Sequence, residues 1–264
     1  MRVQTSAGRD IVGEETVLIA AIEGQRPIPR KRPPYPARSG LWGRPTTVNN
    51  VETIACLPAI VERGADGFRA LSRTAEGGTR LYAISGRVTR PPLVEAPVGT
   101  SAGEQFERCC GIAGGGASRA FQPGGGATAF LGPEHLDVPL DFAHSRAAGS
   151  GLGTGAVIVL DETACPVDAV RRHARFDARE SCGFCTPCRD GLPWVARLLD
   201  ALEAGDGRPG DLELLRHHVE VAGPSGRGFC DRMAGAMSPL ASALDRFGEL
   251  FRAHLQRACP VVRG

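Results

Sequence analysis

Apolar positions recur at helical spacing through the last part of the chain. "PVDAVRRHARFDARE" (166–180) opens on Pro166, a residue suited to a first helical turn. "GLPWVARLLDALEAG" (191–205) places Trp194, Val195, Leu198, Leu199 and Leu202 on one predicted face. "PGDLELLRHHVEVAG" reads as a third helix stopped by Gly223, and "SPLASALDRFGELFRAHL" as a fourth, with Leu240, Leu244, Phe247, Phe251 and Leu255 in register. Four amphipathic helices with short links predict a bundle over 163–264.

Upstream the period changes. "TRLYAISGRV" alternates as a strand does, "PPLVEAPVG" follows as in a hairpin, and "GAVIVLDE" is a continuous apolar run fit for a buried strand. Between them, "SAGEQFERCC" has Ser101 followed by Glu104, the pattern of a capped short helix, and "RAFQPGGGATAFL" carries a glycine-rich turn. Residues 76–162 therefore predict a small α+β unit, one helix over a mixed sheet. Residues 1–75 mix two helical patterns, "GEETVLIAAIEG" and "NNVETIACLPAIVERG", joined by a proline- and arginine-rich connection that must run extended. The fold class expected is α+β and multidomain.

Composition narrows the function classes. A formal net charge of +2 over 264 residues gives no concentrated basic face, which argues against nucleic acid as a partner. No run approaches a membrane span and the start lacks a signal-peptide core, so direct membrane insertion is not expected and the expected compartment is cytoplasmic. The 35 glycines, and 31 basic residues of which only Lys31 is lysine, reflect base composition more than function. Nine cysteines in a reducing compartment point to metal or redox chemistry where they cluster. The scattered ones, Cys56, Cys109, Cys110, Cys165 and Cys259, read most simply as small buried hydrophobes.

The cluster is "ESCGFCTPCRDG" (180–191), in which Cys182, Cys185 and Cys188 stand at three-residue intervals. Gly183 and Pro187 help such a loop curl, so that the thiols can converge on one inorganic centre. Bacterial ferredoxins follow the same start closely with another cysteine, but Gly191 stands there. Cys230, 42 residues beyond Cys188 and two predicted helices away, is the best fourth ligand. A [4Fe–4S] cluster suits three thiols plus one; structural zinc prefers separated pairs; a redox dithiol would want a βαβ context. All three chemistries stay open on spacing, with the cluster favoured. Arg189 either offsets the charge of such a centre or is a solvated side chain.

With "GEET" (13–16), "GRPTTVNNVET" (43–53), "PGGGATAFL" (123–131) and "GSGLGTGAVIVLDE" (149–162) in the same order, the chain resembles the NADH-binding flavoprotein subunit of respiratory complex I. It equally resembles the corresponding modules of NAD-reducing hydrogenases and NAD-dependent formate dehydrogenases. The resemblance implies three parts: the C-terminal part of a Rossmann-like flavin domain (1–75), a ubiquitin-like β-grasp soluble-ligand-binding β domain (76–162), and a helical bundle carrying a [4Fe–4S] cluster (163–264). It implies that Gly13, Glu14 and Glu15 line the flavin and nicotinamide pocket, and that Asn49, Asn50 and Thr53 hold the flavin phosphate and ribityl chain. Cys182, Cys185, Cys188 and Cys230 would ligate the cluster. On their own residues, "GEET" reads more simply as a plain helix start, and "TTVNN" is equally a capping sequence. The basic stretch Arg26–Arg38 can meet a dinucleotide phosphate or simply be a solvated loop.

The resemblance further implies an NADH dehydrogenase component using FMN and NAD(H), with an iron–sulfur electron-transfer subunit as partner, peripheral to the inner membrane if in a complex. The family's glycine-rich flavin loop does not precede Gly13. The expectation is therefore that FMN is held weakly or shared with a separate chain supplying the other half of the flavin domain, or that the sequence is a truncated product. NADH oxidation by this chain alone is then doubtful, and a non-catalytic electron-relay or assembly module is the alternative. Apolar surface before about Gly67 should be left uncovered.

Overall fold

The computed structural model describes residues 2–6, 8–255, 257–259 and 261. Its first helix, α1 (Glu15–Ile22), follows a 3-10 turn at Asp10–Gly13 and is capped by Glu14, whose carboxylate accepts the N–H groups of Thr16 and Val17 at 2.9 Å. Helix α2 (Val51–Arg69) is capped by Asn50, whose Oδ1 accepts Glu52 N–H at 2.8 Å. No side chain of α2 is buried; Val51 and Val61 are each 83% exposed, in line with the uncovered surface expected.

A four-stranded mixed sheet follows, ordered β2–β1–β4–β3. Strands β1 (Thr79–Gly86) and β2 (Leu93–Pro97) form the antiparallel hairpin, β4 (Ala156–Asp161) runs parallel to β1, and β3 (Ser118–Gln122) antiparallel to β4. The apolar run of β4 sits between two strands and is accordingly buried along most of its length. Short helix α3 (Ala102–Gln105) and the turn after it cover one face, with Phe106 edge-on to Phe121 at 5.8 Å. Ser101 accepts Glu104 N–H at 3.3 Å, but the Glu104 carboxylate does not close the reciprocal cap; it pairs with Arg73 and with Arg108 at 2.7 Å. A further short helix without a clear sequence signal, α4 (Phe142–Ala147), begins at Asp141.

The other face of the sheet meets the helices. Ala120, Phe130 and Leu160 share one apolar core with α5 (Pro166–Glu180), α6 (Leu192–Ala204), α7 (Asp211–Ala222), α8 (Arg232–Arg246) and α9 (Gly248–His254). Two expectations are corrected. The last predicted helix is two helices that start earlier, at Arg232, and break at Phe247, whose backbone leaves the helical region (φ −120°, ψ 26°). Leu240, Leu244 and Phe251 are nonetheless buried, because the break is followed at once by another turn of helix. In α6 the buried face is Leu192, Val195, Ala196, Leu199 and Leu202; Trp194 lies beside it, 40% exposed and edge-on to His218 at 4.5 Å. An indole has enough apolar area to rest on a neighbouring helix without entering the core.

Candidate iron–sulfur centre

Helix α5 ends at Glu180, and the chain turns through Ser181 and Gly183 before Pro187 opens a wide turn, Pro187–Gly191, that runs into α6. Gly183 adopts φ +70°, a conformation that costs a side-chain-bearing residue energy, and its N–H donates to Ser181 Oγ at 3.1 Å. Cys188 points into the bundle core, 4% exposed, while Cys182 and Cys185 are half-buried. Cys230 stands on the loop between α7 and α8. Phe184 and Phe229, the neighbours of Cys185 and Cys230, meet edge-to-face at 4.9 Å and fasten the two loops together. Cys182 and Cys230 also both pack on Ile11, Val12 and Val17 of the N-terminal segment. Arg26 donates to the Cys182 carbonyl at 3.3 Å.

The thiols act on one another. Burial, then the charges of Cys185 and Cys230, pushes the Cys188 thiol up to about 12. Burial also raises Cys230, with Cys182, Cys185 and Glu14 adding to it. Four thiols so placed cannot all ionise beside one another without a cationic centre, and binding one must expel their protons. Among the described residues, the group of ligand atoms within reach of a single ion lies elsewhere, at Cys165, Glu203, His254 and Cys259. Three thiols on one loop and a fourth on the facing loop, close enough to act on one another, fit an iron–sulfur cube, in which each sulfur meets its own iron. The donor set fits the cluster.

Arg232, two residues beyond Cys230, carries no signal in the sequence that marks it for this site. Its side chain is 9% exposed and pairs with Asp10 and, at 3.0 Å, with Asp177 of α5. Burial raises the Asp177 carboxyl to about 7, with Arg232 opposing and Asp10 reinforcing. Arg232 also favours the Cys188 thiolate, so it balances negative charge at this site. Arg189 is more exposed and paired with Asp190 at 3.0 Å, yet it still feels the charge of Cys185.

Beside the centre lies a cavity of about 1110 Å³ lined by Glu14, Arg30, Lys31, Arg32, His173 and Cys230 among others. Glu14 and Glu15 both pair with Arg32, the latter at 2.9 Å, and Arg30 pairs with Glu23 at 2.5 Å, so part of the basic connection is bound rather than solvated. Gly13 is exposed on the turn before α1. Asn49, Asn50 and Thr53 are exposed at the start of α2 and do not line this cavity. Among the described residues, those expected to hold a flavin are thus not gathered into one enclosure; only Glu14 reaches the cavity.

The helical bundle presents four cysteines on two facing loops, beside a mixed sheet. Residues 168–254, which include all four cysteines, match the family described as NADH-ubiquinone oxidoreductase-F iron-sulfur binding region. The chain is 48% identical over 256 residues to the F subunit of NADH-quinone oxidoreductase in Escherichia coli (strain K12), covering 97% of this chain and 57% of that protein. It is 44% identical over 260 residues to the corresponding F subunit in Mycobacterium tuberculosis (strain H37Rv), covering 98% and 58%. A crystal structure of NAD+-reducing [NiFe]-hydrogenase in the H2-reduced state superposes with a TM-score of 0.85 at 37% identity, over 95% of this chain and 42% of that one. The chain belongs to this family, that of the NADH-quinone oxidoreductase F subunits and their hydrogenase counterparts. It spans somewhat more than half the length of the curated relatives it matches. No helix among the described residues is long and apolar enough to cross a membrane.

Proposed function

We propose that this chain forms the cluster-bearing part of an NADH-oxidising flavoprotein. In this reading electrons drawn from NADH through FMN reach a [4Fe–4S] centre on Cys182, Cys185, Cys188 and Cys230 and leave to an iron–sulfur partner subunit. The observation that carries it is the arrival of Cys230 beside the C-x2-C-x2-C loop, clasped by Phe184 and Phe229. When bound, the cluster supplies one-electron chemistry. The protein's own groups set the conditions for it: Cys188 is held in a dry core, Arg232 balances negative charge nearby, and the two phenyl rings hold the two loops together. Arg30, Lys31 and Arg32 line the adjoining cavity; Arg30 and Arg32 are already paired with Glu23, Glu14 and Glu15, and Glu14 also caps α1, so a dinucleotide phosphate or ribose would have to displace those partners. The sheet with its covering helix is, on this reading, the β-grasp unit.

A second reading, a non-catalytic relay or assembly module, is favoured by the position of Asn49, Asn50 and Thr53 outside the cavity. Two measurements separate them. Anaerobically purified chain should carry about four irons and equal acid-labile sulfide, with the axial EPR signal of a reduced cluster. NADH–ferricyanide activity that appears on adding FMN supports the enzyme. A loaded cluster without such activity supports the relay, and the absence of iron and sulfide would sink both.

A further inference from the structure

At the far end of the bundle from the four cysteines, four other metal-binding side chains meet. Cys165 sits at the start of α5, Glu203 near the end of α6, His254 at the end of α9, and Cys259 in the segment beyond. Their ligand atoms all lie within 4.8 Å of one another. Cys165 Sγ is 3.5 Å from His254 Nε2, which is 3.4 Å from a Glu203 carboxylate oxygen. His254 is completely buried, and its Nδ1 is 2.7 Å from the Leu250 carbonyl. That carbonyl accepts the Nδ1 proton, which leaves the Nε2 lone pair aimed at Cys165 and Glu203; metal-bound histidines are oriented in this way. Since α5 spans 15 residues from Cys165 to the four-cysteine loop, the two places are about 22 Å apart.

The geometry points to a second, structural metal site: a Zn2+ ion held by Cys165, Cys259, His254 and Glu203, fastening the segment after α9 to the bundle. Two thiolates, one imidazole and one carboxylate within single-ion reach form a closed tetrahedral zinc set, whereas hard-cation sites use oxygen alone. The backbone is shaped for the approach. Gly205, just past α6, takes φ +83°, and a Cβ there would stand 2.4 Å from Ala258 N, so only glycine lets the segment cross at this point. Cys259 N–H then donates to the Glu203 carbonyl at 3.4 Å, which brings its sulfur to the other three ligands. Binding releases the Cys165 and Cys259 protons to solvent, and no electron moves. The set leaves no position for substrate, so the site's work is structural. It is independent of the NADH chemistry proposed above.

The test uses the iron-loaded full chain, expressed with added zinc and purified anaerobically without chelator. Metal analysis should give about one zinc per chain besides the iron. Zinc-edge absorption should show two sulfurs at about 2.3 Å and two nitrogen or oxygen neighbours at about 2.0 Å. Cys165→Ser with Cys259→Ser should lower zinc at least about tenfold while iron is retained. Should that variant fail to fold, the wild-type absorption shell decides alone. A shell of four sulfurs would put the zinc in the four-cysteine site and overturn the proposal. Chain without zinc, or one carrying a Cys165–Cys259 disulfide as isolated, would overturn it equally.

Discussion

Cys188 is the thiol with the least room for substitution. Because it is buried among Leu192, Met233 and the bundle core, Cys188→Ser puts a small polar group in the same space and takes away one ligand. Iron content should fall at least about tenfold while the far-ultraviolet circular dichroism of the helices is retained. Arg232 is a positioning residue acting through charge. Replacing it by Gln leaves Asp10 and Asp177 without their cation. The cluster potential should then fall by roughly tens of millivolts, since a nearby positive charge favours the reduced state. Arg232→Lys should recover most of that shift, whereas a purely packing role for Arg232 would leave the potential unmoved; an EPR-monitored redox titration reads the difference. The three-residue cysteine spacing is visible in the sequence because a loop ligand set is a local pattern. Arg232 is not, since its role depends on Asp177, 55 residues earlier, folding against it.

At the scale of elements, α5 ties the sheet to the bundle. His173 on α5 is 2.8 Å from Gln122 Oε1 at the end of β3 and stacks on Phe130. Burial lowers its pKa to about 4 from the ordinary 6.5. The unfolded chain therefore takes up a proton as pH falls below about 6.5 while the folded chain resists until about 4. Stability from this group is complete above that window and is lost through it, by up to about 3 kcal/mol. His173→Gln should remove that part of the acid-side slope, which urea melts between about pH 4 and 7 would show. Pro166 and the apolar period mark the limits of α5 correctly. The break between α8 and α9 escapes the same method because Phe247 keeps helical spacing, and a glycine at 248 costs a helix only about 1 kcal/mol. Where packing gains more from a bend than that, the bend wins.

For the whole molecule, the exposed row on α2 is the feature with a measurable consequence. Val51, Ile54, Leu57 and Val61 fall on one side of the helix at 83%, 49%, 48% and 83% exposure. Continuous apolar surface of this kind favours association. The chain should self-associate at micromolar concentration in sedimentation velocity. Val51→Glu with Val61→Glu should suppress this while changing thermal stability by less than about 1 kcal/mol, as expected of exposed positions.

The sequence by itself determined α5, α6, the β1–β2 hairpin and β4, the triplet of thiols and the capping residues at Ser101 and Asn50, because each depends on neighbours within a few positions. It also carried the family, through motifs in a fixed order. Only the tertiary structure decided that Phe184 closes on Phe229, that Arg232 is buried beside the thiols between Asp10 and Asp177, and that Asn49 to Thr53 stand apart from the cavity Glu14 enters. It alone brought Cys165 and Cys259, which read along the chain as separate buried hydrophobes, to the same histidine. Those outcomes join residues dozens of positions apart. Burial energy summed over the whole core fixes such distances, and no local period along the chain records them.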